Sequence, residues 1–392
     1  MNHAHRADPP EAHGPAPAST AKAEYFSSGS SQAAEQAKKA QWAEATPWYP
    51  DALGPGFQAR TFNLGQDPDG EGHVAAVLVR YLPAACHDFS KRPALLIIHG
   101  MTDYFFHQHI AKRFHQEGFA VYGIDLRKSG RAHLIGQRWH YVSDMHLYFQ
   151  ELNAVAAALL ATHPQLVPVA HSTGGLIASL WMDHLRTQDP ARHRAIPALI
   201  LNSPWLDMQF PPFMVKLLRK VLHSQPGQRI LRSGFGGKLP SNYGRSLHAS
   251  AEGEWHYDLH LKPIRGHKKY PEWIKAVDTA QQRIHAGAID VGAPVLTLHA
   301  KRSYFRPRFA EEAKRADTVL DVEQIRRRAP LLGQDVTVVS IEDAVHDVFL
   351  SSDQPRSDAI QACLKWLKEL GLPDTLASEN ADAQGRHTST EH

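Results

Sequence analysis

The stretch Val169–Leu180, VAHSTGGLIASL, runs from an apolar segment into a helical pattern through a single serine. Ala170 and Gly174 flank Ser172 two residues away on either side. Side chains larger than these would clash if the chain turned very sharply at Ser172 and drove it toward positive φ. Strain of that kind persists mostly where it positions something reactive. The same turn lifts the Ser172 hydroxyl above a sheet and places the Thr173 N–H at a helix N-terminus, where partial positive charge favours an anion. Ser172 is therefore the candidate nucleophile, the plain alternative being an inert serine at a small-residue junction.

Outward from this turn, strand and helix patterns alternate. FQARTFNL and HVAAVLVRYL flank the turn-rich GQDPDGEG, which predicts an antiparallel hairpin. PALLIIHG is a continuous apolar run of buried-strand type. Helical spacing follows over Phe105 to Gln116, stopped by Gly118, and FAVYGIDL is the next strand. Asp144 to His163 carries apolar residues at helical spacing and ends against Pro164. LVPVAHS, with Pro168 inside it, then leads through Ser172 into the helix GGLIASLWMDHL, and IPALILNS, APVLTLHA and DVTVVSI supply further strands. A closing helix spans about Asp358 to Leu370. This βαβα alternation predicts a mostly parallel central sheet with helices on both faces, an α/β fold.

The composition narrows the function classes. With 392 residues, 43% of them apolar, the chain has enough material for a large core. A net charge of +3 with no long basic block gives no electrostatic case for nucleic-acid binding. Two cysteines, Cys86 and Cys363, are too few for a disulfide scaffold and fit a reducing, cytoplasmic setting. The first residues lack the apolar core of a signal peptide, and no segment is apolar enough for stable membrane insertion. Residues 1–45 and 373–392 read as disordered tails around a domain at 46–372. Among 26 histidines, the pairs His107/His109 and His256/His260 have ligand-like spacings but no nearby Cys or acidic cluster of metal-site form, so no metal is expected.

Residues 203–289 interrupt the alternation and read as a cap inserted over the sheet. Phe213 to Leu222 forms an amphipathic helix with Lys216, Arg219 and Lys220 on its polar face. Packing on the core is its first reading, lipid contact the second. At the end of the earlier strand, His99-Gly100-Met101 lets the backbone bend so that the Met101 N–H faces the serine. With the Thr173 N–H it would make a two-donor oxyanion hole, each donor contributing about 3 kcal/mol of transition-state stabilisation.

LLIIHGMTDYFF, VYGIDLRKSGRA, VAHSTGGLIASLW and LILNSPWLD, in this order, resemble α/β-hydrolase-fold serine hydrolases of the monoacylglycerol lipase/lysophospholipase-like, or serine aminopeptidase-like, group. The likeness covers roughly residues 48 to 370, with Ala170 standing where glycine is commonest. It implies a Ser…Asp…His triad in that chain order and no cofactor. His346, after DVTVVSI, matches the family's histidine position, with Asp343 and Asp347 as neighbouring acids. The family's acid lies just past the strand APVLTLHA, as Asp-x-x-Val. Here KRSYFRPRFAEEAKRA intervenes before DTVLD. Asp317 fits the motif after that insertion, and Asp321 and Asp207 remain open as alternatives.

The resemblance implies two-step acyl transfer on a carboxylic ester of a hydrophobic or acyl-chain substrate, a small lipid-like molecule. A serine aminopeptidase-type activity is the alternative, with Glu252, Glu254, Asp258 and Glu272 available to hold a substrate amine. A non-catalytic ligand-binding role is the third reading.

Overall fold

The computed structural model describes residues 45–209, 212–223, 234 and 241–373; the expected tails, Ala45 and Pro373 apart, lie outside them. Nine strands form one sheet: β1 (Tyr49–Pro50), β2 (Phe57–Gln66), β3 (His73–Tyr81), β4 (Ala94–Ile98), β5 (Ala120–Asp125), β6 (Leu166–His171), β7 (Leu199–Asn202), β8 (Val295–Ala300) and β9 (Val336–Ile341). Their spatial order is β1-β2-β3-β5-β4-β6-β7-β8-β9. The β1–β2, β2–β3 and β3–β5 pairs are antiparallel, and the remaining pairs are parallel. The expected hairpin is β2–β3, and the expected α/β-hydrolase sheet is present.

Helices α1 (Gln108–Gln116), α2 (Phe149–Leu160) and α3 (Thr173–Gln188) follow β4, β5 and β6, and the short α4 (Pro190–Arg194) precedes β7. Between β7 and β8 lie α5 (Pro212–His223), α6 (Asn242–Leu247) and α7 (Pro271–His285); α8 (Val322–Arg328) and α9 (Asp353–Glu369) complete the order. Strand side chains alternate between the two faces. Leu95, Ile97, Val167 and Val169 pack with Ile110 and Phe114 of α1 and Cys363 and Leu367 of α9 in one core. Each such fully buried side chain is worth roughly 1.5–3 kcal/mol.

Pro168 is accommodated at a gap in the ladder. The Leu166 N–H donates to Ala195 O on the β7 side (3.0 Å). Two residues on, Pro168 faces that same side, just before the first β6–β7 pair at Val169.

Three helices differ from expectation. α1 begins at Gln108 rather than Phe105: residues 105–107 are non-helical, and the Phe105 N–H donates to Asp125 Oδ1 (2.7 Å). The 144–163 segment opens with a 3₁₀ turn, Met145–Tyr148, capped by the Asp144 side chain, and α2 ends at Leu160. α9 starts at Asp353, tolerating Pro355 in its first turn, where no N–H partner is needed. In α5, Phe213 is 71% and Met214 43% exposed, so this end of the helix does not pack on the core. Arg219 ties it to Asp278 of α7 at 2.8 Å.

Candidate active site

Ser172 caps α3 at φ +53° and ψ −116°, off every region that L residues favour. The packing around it is close. A Cβ on Gly174 would overlap the His99 carbonyl oxygen, and one on Gly100 would come within 2.9 Å of the Ser172 Cβ. The two glycines thus let α3 and the end of β4 close on the serine. The Ser172 N–H donates to Asn202 O (3.0 Å) and the Ser172 carbonyl accepts from Trp205 N–H (3.0 Å), pinning the turn to β7 and the residues after it.

His346 lies in the loop after β9, buried, with Nε2 3.0 Å from Ser172 Oγ and Nδ1 2.8 Å from Asp317 Oδ2. A carboxylate accepts, so Nδ1 carries the hydrogen and Nε2 accepts from the serine hydroxyl. Asp317 is fully buried, and its other oxygen accepts the Val319 and Leu320 N–H groups at 2.7 and 2.8 Å. The intervening stretch after β8 leaves and returns: Asp317 bridges back to Ser303, its N–H donating to Arg302 O at 2.9 Å. Despite the intervening stretch, Asp317 thus stands beside both the end of β8 and His346.

The other acids stand elsewhere. Asp321 caps α8, accepting the Glu323 N–H at 3.0 Å. Asp207 pairs with Arg328 at 2.8 Å. Asp343 reaches Arg302 at the surface. The proposed amine-holding acids are also engaged away from the serine: Glu252 with Arg245 (3.0 Å), Glu254 with Arg356 (3.4 Å), and Asp258 with the His260 N–H (2.7 Å). Glu272 lines a separate surface pocket with Ser143 and Lys275.

Ser172 and His346 open into a cavity of about 300 Å³ that Met101 and Thr173 also line. Neither the Met101 nor the Thr173 backbone N–H has an acceptor among the described residues. Trp205, Tyr243, Tyr257, Trp273, Val319 and Leu320 supply its apolar walls.

At the cavity wall lies a buried polar cluster that sequence reasoning missed. Lys262 Nζ donates to Asp103 Oδ1 (2.7 Å), and Asp347 takes His107 Nε2 (2.9 Å) and Asn202 Nδ2 (2.6 Å). Burial opposes ionisation of Asp347, but His171, His107 and Lys262 outweigh it and hold the carboxyl well below its usual range. Asp103 is likewise lowered, burial being outweighed chiefly by the Lys262 charge. His171, buried beside His346, is pushed down to about 4 by desolvation. Asp103, His171 and Asp347 present ligand-type atoms within 4.8 Å of one another, and the Lys262 ammonium on Asp103 already supplies a cation there. Asp347 directly follows His346, and that adjacency was the one signal available; the Lys262 contact, 159 residues from Asp103, had none. His109 Nε2 donates to the Phe349 carbonyl oxygen at 2.9 Å, a structural role.

Comparison with solved structures places this architecture among known ones. A monoacylglycerol lipase from Paleococcus ferrophilus superimposes with a TM-score of 0.51 at 19% identity, covering 71% of this chain and 95% of that one. DcsB in complex with its substrate analogue gives 0.52 at 15% identity, over 79% of this chain and 99% of that one. A hypothetical protein from Pseudomonas aeruginosa gives 0.52 at 12% identity, over 82% and 99%. At these identities the likeness is one of fold. No curated protein matches the sequence. The family model described as serine aminopeptidase, S33, matches residues 90–353. With two thirds of its length under that model and an α/β-hydrolase sheet beneath it, the chain belongs to the serine aminopeptidase (S33) family of hydrolases.

Proposed function

We propose that the protein is a serine hydrolase that cleaves carboxylic esters of hydrophobic or acyl-chain substrates through an acyl-enzyme. The observation that carries this reading is the unbroken line from Ser172 Oγ through His346 to Asp317, at 3.0 and 2.8 Å, on a serine held at positive φ. His346 takes the hydroxyl proton as Oγ attacks the carbonyl carbon. The oxyanion forms against the Met101 and Thr173 N–H groups, the latter at the positive end of α3. The protonated imidazole then gives its proton to the leaving alkoxide. Water, deprotonated by His346, releases the acid. Asp317 fixes the imidazole tautomer and stabilises its charged form.

Ester cleavage is preferred over aminopeptidase action because none of the four acids suited to a substrate amine lines the cavity, whereas aromatic and aliphatic side chains wall it. A fluorophosphonate probe should label the wild type and not Ser172→Ala. p-Nitrophenyl esters should turn over, with rates that vary with acyl length, while aminoacyl anilides do not. Equal labelling of both proteins, or faster anilide than ester cleavage, overturns the reading.

A further inference from the structure

The net charge of +3 hides a segregation. Residues 208–271 carry eleven Lys and Arg against three Asp and Glu, so this stretch is +8 and the remainder of the chain −5. Between Met208 and Ala251 there are seven basic residues and no acid.

The fold brings part of this charge to the serine. Lys262, Arg265 and Lys269 line the Ser172 cavity. The single carboxylate lining it among the described residues is Asp103, which Lys262 already contacts at 2.7 Å. Arg265, exposed, and Lys269, half-buried, have no ion-pair partner among the described residues. Burial alone lowers the Lys269 ammonium from its ordinary range, with no acid to offset it.

These cations are not on a free loop. The His267 N–H donates to Thr102 Oγ1 (3.0 Å), next to the Met101 amide. The His267 ring stacks on Trp139 at 4.3 Å and its Nε2 meets Leu261 O at 3.1 Å. Arg265 and Lys269 therefore flank a docked residue beside the expected oxyanion position. A half-buried cation without a counter-ion is an unmet electrostatic demand, and a cleft lined by one sign concentrates ligands of the other.

Resting on the serine-hydrolase reading, we propose that the substrate is an ester that also bears an anionic group, carboxylate or phosphate, held by Lys269 and Arg265 while its carbonyl lies over Ser172. The aromatic walls take the apolar portion, and a cationic amine is repelled.

Binding to Ser172→Ala, measured by calorimetry at low salt, tests this without turnover. Monohexyl glutarate is compared with hexyl pentanoate, and octanoylglycerol phosphate with octanoylglycerol. The anionic member of at least one pair should bind about tenfold more tightly or better, and the pair that shows it identifies the anion as carboxylate or phosphate. Adding Lys269→Met should abolish the preference. Lys269→Arg should keep it, and so should Lys268→Met, which removes the same charge from an exposed neighbour that does not line the cavity. Equal affinity within both pairs, or a preference that survives Lys269→Met, overturns the proposal. Absence of fluorophosphonate labelling would overturn the serine reading separately, leaving the affinity comparison to be judged by itself.

Discussion

Ser172 illustrates how a single residue is made special by what surrounds it. Its backbone strain costs on the order of 1–3 kcal/mol, and the close approach of Gly100 and Gly174 and the hydrogen bond to Asn202 O hold it there. The proposed acid shows the reverse, since Asp317 is ordinary in backbone and special only in its partners. Asp317→Asn should lower kcat on p-nitrophenyl butyrate by about 10⁴-fold, since an amide favours the wrong imidazole tautomer. Asp321→Asn and Asp207→Asn should leave it within about threefold; a larger loss at either would move the acid. Ser172 and His346 are legible in the sequence because each follows a strand end by a short turn. Asp317 is legible only by its motif, because position past β8 is lost once a long stretch intervenes. Lys262 is illegible, as a lysine in a loop says nothing about a carboxylate 159 residues away in the chain.

Elements meet through a few contacts whose loss has a defined sign. α3 reaches β4 only because position 174 has no side chain; Gly174→Ala should destabilise the fold by about 1–3 kcal/mol, read as a lower urea midpoint. The loop containing Lys262 is joined to the loop after β4 by the Asp103 pair, both groups buried. Asp103→Asn strands an ammonium in the interior and should cost about 3–5 kcal/mol. Adding Lys262→Met should restore most of that loss, which a double-mutant cycle in urea would measure. The alternation of strands and helices is readable from apolar runs, since burial on both sheet faces requires them. Helix starts are less so. Nothing local marks that the Phe105 amide is claimed by Asp125, a residue of the neighbouring strand.

For the molecule as a whole, acid is the expected weakness. Burial pushes His171 and His267 down to about 4 and His109 to about 3, and holds His140 well below its ordinary value. In the unfolded chain the same groups titrate near 6.5. Below that pH the unfolded state therefore binds more protons than the folded one, and stability falls as pH drops from about 6.5 toward 4. The melting temperature should follow this course, and His267→Gln should make the fall shallower by about one proton's share. A melting temperature flat over that range would contradict the assignment of these rings as neutral. The charge segregation is a whole-molecule property too, and a composition average conceals it, since a basic and an acidic region cancel.

The return of the chain to Ser303 means that the spacing between β8 and Asp317 is not a quantity the chemistry depends on. The two backbone positions clasp each other and close the loop at its base, while inside the loop Ala313 is buried and Arg306 O accepts from Asn242 Nδ2. Length there is a free variable for evolution: the cost of closing a longer loop grows only with the logarithm of its size. The exposed positions of that loop, Phe305 and Glu311 among them, are where its surface can change while the clasp at Ser303 holds the carboxylate in place.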